Sequence, residues 1–250
     1  MPRTASHSKM VIPLFLLFAF LCFHGIPKRI PDTPDDVCNL FMDRWDEKRL
    51  RKTMALMRSV SNALQKNNID FSLMAGTLLG FARHGGFIPW DDDVDFYVAH
   101  KNVADLNKLI RRQAVLCSEP FWGGIKLYFC KDALFSEERP VYPFIDIFSI
   151  SPATCLVPFR CPLYWTGYLR HFSEALYFPT ILSNFRNVSV RVPARLNVVL
   201  ETQFGQQWEQ KCASPIYDHA RGVSVRRPNF VVNCKMLRHV CGTPMRSLSQ

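Results

Sequence analysis

Four carboxylates crowd one short stretch of the chain, Asp91-Asp92-Asp93-Val94-Asp95, between Phe87-Ile88-Pro89-Trp90 and Phe96-Tyr97-Val98. Like charges that close repel unless a cation or strong donors neutralise them. Alternation along an incipient strand puts Asp93 and Asp95 on one face, with Val94 and Phe96 on the other. Hard oxygen donors of this kind suit Mg²⁺ or Mn²⁺, which keep several waters and bind one or two carboxylates together with substrate phosphates. An acidic, solvated turn is the rival reading. The apolar flanks argue against it and place the carboxylates at the end of a buried element, opening into a cleft, with Asp92 the member that faces solvent.

Two other features belong with the acidic run. Gly76-Thr77 falls where an apolar stretch gives way to a helical one, and a Gly with a following hydroxyl lets a backbone approach a phosphate. Most Gly-Thr pairs are simply turns. Asp146 lies between Ile145 and Ile147, where an isolated carboxylate is costly to bury unless it pairs or binds metal. A salt-bridged or edge-facing Asp146 is the alternative. A Gly-hydroxyl turn, an Asp-x-Asp strand and a later strand Asp together form the skeleton of a nucleotidyltransferase fold, a mixed α/β (α+β) core in which helices flank a mixed sheet.

The elements that must hold these residues are legible in outline. Apolar residues at helical spacing from Phe41 to Lys66 predict an amphipathic helix ended by Asn67-Asn68, and Ile69 to Ala75 reads as a strand. A short helix is expected over Thr77 to Arg83, with Thr77 as N-cap, and another over Asn102 to Gln113. Ile125 to Cys130, Phe144 to Ile150 and Val188 to Val192 are strand candidates, and Ala194 to Phe204 a helix stopped by Gly205. The aromatic, Pro-punctuated stretch 155–179 has no clear period.

A chain of 250 residues with 48% hydrophobic and 13% aromatic content can bury a full core. Its first strongly apolar stretch, 10–26, is flanked by Arg3 and Lys9 on one side and by Lys28 and Arg29 on the other. That length suits one short membrane-spanning helix, and without a small-x-small site after it an uncleaved anchor is preferred over a cleaved signal peptide. The resulting plan is a cytoplasmic tail over 1–9, a signal-anchor helix over 10–26, a stem over 27–37, a catalytic domain over 38–210 and a basic, Cys-containing tail over 211–250. Of nine cysteines, eight lie beyond the apolar stretch, which suits disulfides in an oxidising lumen, with connectivity open. Structural zinc is the competing use, although no Cys-x-x-Cys pair occurs. Asn187-Val188-Ser189 is a glycosylation sequon.

The net charge of +10 is carried partly by the tail, which from Ala220 onward has Arg221, Arg226, Arg227, Lys235, Arg238 and Arg246 and no acid. Nucleic acid is one counterpart for such a tail, but a secreted or membrane-anchored chain rarely meets it, so no nucleic-acid partner is expected. An anionic nucleotide, glycan or lipid headgroup is the fitting counterpart, or the tail is merely solvated.

A longer pattern then stands out. Ala75-Gly76-Thr77-Leu78-Leu79-Gly80, followed by Arg83-His84-Gly85-Gly86-Phe87-Ile88-Pro89-Trp90 and the acidic run, resembles the signature of the LicD family, which includes bacterial phosphocholine transferases and the fukutin and fukutin-related proteins. Looser matches lie at Lys126-Leu127, at Phe144 through Phe148, and from Phe178-Pro179 to Trp208. The resemblance implies transfer of a phospho-alcohol, of phosphocholine or ribitol phosphate type, from a CDP-activated donor to a glycan hydroxyl, releasing CMP. It implies Asp93, Asp95 and Asp146 as catalytic metal ligands, Asp91 as a further ligand, and Gly76, Thr77, Arg83 and Lys126 as donor contacts. Asp146 is also a candidate to take the acceptor's proton. The family departs from this chain at Asn187, often Gly in a hairpin, at Phe204, usually Tyr, and at Ser149, often Pro. The matching location is the Golgi or endoplasmic reticulum membrane, single-pass with a lumenal catalytic domain, or else secretion. A nucleotidyltransferase releasing pyrophosphate, and an inactive member that binds glycan or partner, are the alternatives.

Overall fold

Thr33 accepts the N–H of Asp36 and opens a short helix, α1 (Pro34–Leu40), in the computed structural model of the chain, which describes residues 33–121, 124–134, 141–149, 173–225 and 230–241. The expected anchor over 10–26 lies outside these residues. Among the described residues no helix is long and apolar enough to cross a membrane.

The amphipathic helix begins later than its apolar spacing predicts. Asp46 caps α2 (Glu47–Lys66) by accepting the N–H of Arg49, while the chain before it turns, with Asp43 accepting from Trp45 N–H. A side-chain acceptor at the cap outweighs continued periodicity, because it satisfies an amide that the first turn leaves unpaired. Thr53, Leu56, Met57, Val60, Ser61 and Leu64 form the buried stripe, at steps of three and four. Met42, counted with that face in the sequence, is 62% exposed because it precedes the helix.

The main sheet is mixed. Strands β1 (Phe71–Leu73), β2 (Asp95–Val98), β3 (Leu116–Phe121), β4 (Gly124–Phe129) and β5 (Ile145–Phe148) take the order β1-β2-β5-β4-β3, with β2 and β5 parallel and the other neighbours antiparallel. Helix α3 (Ala75–His84) follows β1, and α4 (Val103–Arg112) links β2 to β3. Parallel pairing of β2 and β5 requires a crossover, which the antiparallel strands β3 and β4 and the one-turn helix α5 (Cys130–Ala133) supply. Every residue of β1 and β2 is buried, so neither strand alternates, and the polar exceptions are Ser72 in β1 and Asp95 at the start of β2. Phe71 and Phe96 stack across that pair at 5.3 Å between centroids, in one core with Leu56, Met57 and Leu64 of α2.

After the one-turn helix α6 (Glu174–Tyr177), a second layer comes from the hairpin of β6 (Thr180–Phe185) and β7 (Val188–Pro193) and from α7 (Leu196–Phe204). The sequence signalled β7 by its alternation and missed β6, whose Ile181 and Leu182 are both exposed and so carry no period-two pattern. The hairpin loop takes its left-handed residue at Arg186, with φ of 56°, and not at Asn187, where the family often has Gly. Asn187 is exposed at the tip.

From Lys211 the chain is built into the molecule. Strand β8 (Lys211–Ala213) pairs with β11 (Val231–Asn233), β9 (Tyr217–Asp218) pairs with β10 (Val223–Ser224), and α8 (Cys234–Cys241) ends the described chain. Cys212 and Leu237 are fully buried. Disulfides join Cys212 to Cys234, Cys117 to Cys130, and Cys38 to Cys241 across 203 residues of sequence. Cys155 and Cys161 lie outside the described residues.

Candidate functional site

Register alone builds the centre of the site. In the parallel pair β2–β5, Asp95 lies opposite Asp146, and in the antiparallel pair β4–β5, Asp146 lies opposite Lys126. Three neighbouring strands thus present a row of Asp95, Asp146 and Lys126 on one face. Residues directly opposite across paired strands have Cβ atoms about 5 Å apart, close enough for direct charge interaction. Lys126 Nζ reaches both carboxylate oxygens of Asp146, at 2.7 and 2.9 Å, and lies 3.7 Å from the ring centre of Phe144. Asp93, two residues before Asp95, offers a carboxylate oxygen within 4.8 Å of oxygens from Asp95 and Asp146. The sequence's expectation that these three acids converge is met.

Gly76 and Thr77 serve the carboxylates directly. Thr77 does not cap α3; Met74 holds that position, and the Thr77 hydroxyl accepts the backbone N–H of Asp95 at 2.8 Å, locking the start of β2. Ala75, between them and the strand, has φ of 45°, a left-handed conformation costing a non-glycine residue on the order of 1 kcal/mol and common at functional sites. Gly76 faces Asp91 so closely that a Cβ there would collide with the Asp91 carboxylate. Gly76→Ala is therefore expected to push Asp91 out of the cluster and weaken divalent-ion affinity at least about tenfold, by analogy with loss of a supporting partner at a metal site. Calorimetric titration with Mn²⁺ measures this directly, and unchanged affinity would show that Asp91 is not needed.

Burial sets the electrostatics. It pushes Asp93 up to about 7, helped by the negative charges of Asp146 and Asp92. Burial and then the charge of Asp93 push Asp95 well above the usual carboxylate range, and burial does the same for Asp91, which shares a hydrogen bond with Asp93. Asp146 also rises through burial, although Lys126 pulls the other way. One lysine among these acids leaves a deficit of positive charge. An all-oxygen set with such a deficit fits a hard divalent cation, and Asp93, Asp95 and Asp146 are the residues that would hold it.

Asp92 contradicts its expected place in solvent. It is 2% exposed and accepts from Arg44 Nη1 at 3.0 Å and from the backbone N–H groups of His219 and Ala220, while its Oδ1 lies 2.8 Å from His219 Nδ1. Burial works to raise its pKa, but the hydrogen bond and charge of His219, then Arg44, hold it below the usual value. The sequence misassigned it because every one of these partners is remote along the chain. Tyr142 also donates its hydroxyl to the Asp92 carbonyl at 2.6 Å, and the loop is thereby held from three directions.

Arg83, a candidate donor contact, is 5% exposed and donates Nη1 to the carbonyls of Trp208 at 2.9 Å and Lys211 at 2.6 Å. Its guanidinium thus seats the chain entering β8 at the edge of the cavity. Burial lowers its pKa to about 10, which still leaves it charged at neutral pH. Trp90 donates Nε1 to the Ala213 carbonyl at 2.9 Å and fastens the same segment to the acidic loop.

A cavity of about 460 Å³ opens over the acids. Asp91, Asp93 and Asp95 line one side, and Trp208, Tyr217 and His219 the other. A second groove, of about 560 Å³ between α2 and the hairpin tip, is lined by Arg51, Arg58 and Arg186 and holds none of the acids. His219 was absent from the sequence-based set; the only signal for it was a His beside an acid, Asp218-His219, in a segment without other chemistry.

A mixed sheet that raises two acids on parallel strands, with a hydroxyl-bearing turn behind them, is the core of a nucleotidyltransferase fold. The domain model described as the LicD/FKTN/FKRP nucleotidyltransferase domain matches residues 68–195, and the chain belongs to the LicD family. It is similar to the lipopolysaccharide cholinephosphotransferase LicD of Haemophilus influenzae, 56% identical over 34 residues, covering 14% of this chain and 13% of that one. It is similar to the human ribitol 5-phosphate transferase FKRP, 36% identical over 89 residues, or 35% of this chain and 17% of that one. A protein of uncharacterised function from Rickettsia typhi, RT0683, is 37% identical over 67 residues, covering 27% of this chain and 22% of the other. The chain spans less than a quarter of the length of each of these relatives.

Proposed function

We propose that this chain transfers a phospho-alcohol from a CDP-activated donor to a glycan hydroxyl, releasing CMP, with Mg²⁺ or Mn²⁺ held by Asp93, Asp95 and Asp146. The observation that carries the proposal is the row of Asp95, Asp146 and Lys126 across three strands, with Asp93 alongside and with Asp93 and Asp95 lining a cavity. The activities that name the two relatives, choline-phosphate and ribitol-phosphate transfer, supply the reaction class. A divalent ion bound there would offset the charge of the donor diphosphate and ease departure of CMP.

The chain's own groups then divide the remaining work. Lys126 fixes the Asp146 carboxylate through both oxygens and adds positive charge beside the phosphates. Because Asp146 is engaged by Lys126, Asp91 is the better holder of the acceptor's proton: it lines the cavity, and burial raises its affinity for a proton. Lys211, in the cavity wall, supplies a second cation for the donor, while Trp208 and Tyr217 give flat apolar surfaces that exclude water and can stack on a sugar ring or base.

Disulfides join three cysteine pairs among the described residues, which supports a lumenal or secreted location, and the apolar 10–26 stretch supports an anchor in the Golgi or endoplasmic reticulum membrane. Donor hydrolysis decides among the rival activities. Incubation of the full chain and Mn²⁺ with CDP-choline, CDP-ribitol or CDP-glycerol is expected to release CMP from one of them. Pyrophosphate from CTP instead would convert the assignment to nucleotide transfer, and metal-dependent binding without any product would indicate a binding protein.

A further inference from the structure

The family match ends at residue 195, yet the acidic loop is closed by a residue from much further on. His219 Nδ1 lies 2.8 Å from Asp92 Oδ1, and Nε2 lies 3.1 Å from Asp93 Oδ2. The backbone N–H of the same residue donates to Asp92 Oδ2 at 3.1 Å. Both ring nitrogens therefore face carboxylates, and turning the ring over would set carbons against them. Tyr217 and Phe144 meet the ring edge-on, at 4.7 and 6.3 Å between centroids, and restrict it further.

We infer that His219 is a positioning residue: anchored on Asp92, it fixes the carboxylate of Asp93 in the orientation that meets Asp95 and Asp146. This rests on the proposed use of those three acids to hold a divalent ion. Without the imidazole, Asp93 keeps only its hydrogen bond with Asp91 and the charge of Lys126 against the repulsion of the neighbouring acids, and its carboxylate swings away from Asp95 and Asp146. Asp92 then has a definite role as the anchor of the imidazole. The structure also explains how so distant a residue keeps its place: Arg83 holds the carbonyls of Trp208 and Lys211, Trp90 holds that of Ala213, and the Cys212–Cys234 disulfide closes the segment from behind. Partners that orient a metal ligand typically contribute 10- to 100-fold in metal affinity.

The test is Mn²⁺ affinity, by calorimetry and by the electron paramagnetic resonance of the bound ion, on the full chain and its variants. His219→Gln places an amide where Nε2 stood and can still reach Asp93. His219→Asn places one where Nδ1 stood and reaches only Asp92. The glutamine variant is expected to bind Mn²⁺ within about threefold of the parent, while His219→Asn and His219→Ala bind about 10- to 100-fold more weakly with altered spectra. Asp92→Asn, which keeps His219 but loosens its anchor, should fall with the weak pair. Equal affinity in all variants would overturn the inference, as would equal loss in the Gln and Asn variants, since a ligand or purely structural role does not separate them. Should His219→Ala fail to fold, the Gln–Asn comparison decides alone. Failure of the underlying metal assignment looks different, because the parent itself would then take up no Mn²⁺.

Discussion

Asp93→Asn and Asp95→Asn are each expected to cut transfer at least about 10³-fold, since either change removes an anionic ligand of the divalent cation that would stabilise a developing phosphate anion. The substitutions are nearly isosteric, so packing is spared. Asp95 enters β2 with its backbone N–H held by Thr77 and its side chain opposite Asp146, so an amide there keeps the register and loses the charge. The same two variants should bind CDP-alcohol donors no better with Mn²⁺ than without it. Single-turnover release of CMP, with donor binding measured separately, distinguishes the outcomes. Activity within tenfold of the parent in both variants would remove these acids from the mechanism.

Asp93→Asn is also expected to melt higher than the parent when metal is chelated at neutral pH. Burial raises the Asp93 carboxyl to about 7 in the folded chain, against about 3.9 when unfolded, so the folded state holds the proton more tightly. The stability associated with that proton is fully present below about pH 4 and is lost progressively as pH rises to about 7. A rise of that size corresponds to on the order of 4 kcal/mol, or roughly 10 °C in melting temperature for a domain of this size. Asp91, Asp95 and Asp146 are raised too and act in the same sense. His84, which burial and then Arg83 lower to about 3, acts in the opposite sense between about pH 3 and 6.5. Comparing parent with Asp93→Asn cancels that contribution.

Melting curves in chelator from pH 5 to 8 should therefore show the parent falling relative to the variant as pH rises. Adding Mn²⁺ should restore the parent by about 2.7 kcal/mol at a hundred times its dissociation constant and leave Asp93→Asn nearly unmoved. Parallel parent and variant curves, with no response to the ion, would mean that Asp93 is not the strained acid it is taken for. A site that is less stable without its ion has the character expected of one shaped for charge rather than for folding.

The signals legible in the linear chain were local and periodic. Alternation placed Asp93 and Asp95 on one face, Ile145 and Ile147 marked Asp146 as a charge within an apolar strand, and α2, α3, α4 and α7 showed their positions by apolar spacing, with stops at Asn67 for α2 and Gly205 for α7. These signals act over one or two turns, within the reach of adjacent side chains. The start of α2 escaped, because a cap at Asp46 competes with periodicity that the sequence shows equally on both sides.

What the carboxylates touch was settled in three dimensions. Lys126 meets Asp146 through register, 20 residues apart, and Arg44, Tyr142 and His219 reach Asp92 from 48, 50 and 127 residues away. Arg83, a candidate donor contact that lines the cavity, also clamps the carbonyls of Trp208 and Lys211 for the same reason. No pattern in a linear chain encodes such pairings, since they depend on which strands become neighbours and how far each is offset. The segment from Lys211 onward shows this most clearly: its composition reads as a basic tail, while disulfides and buried hydrogen bonds fold it over the acidic run and bring His219 to Asp93.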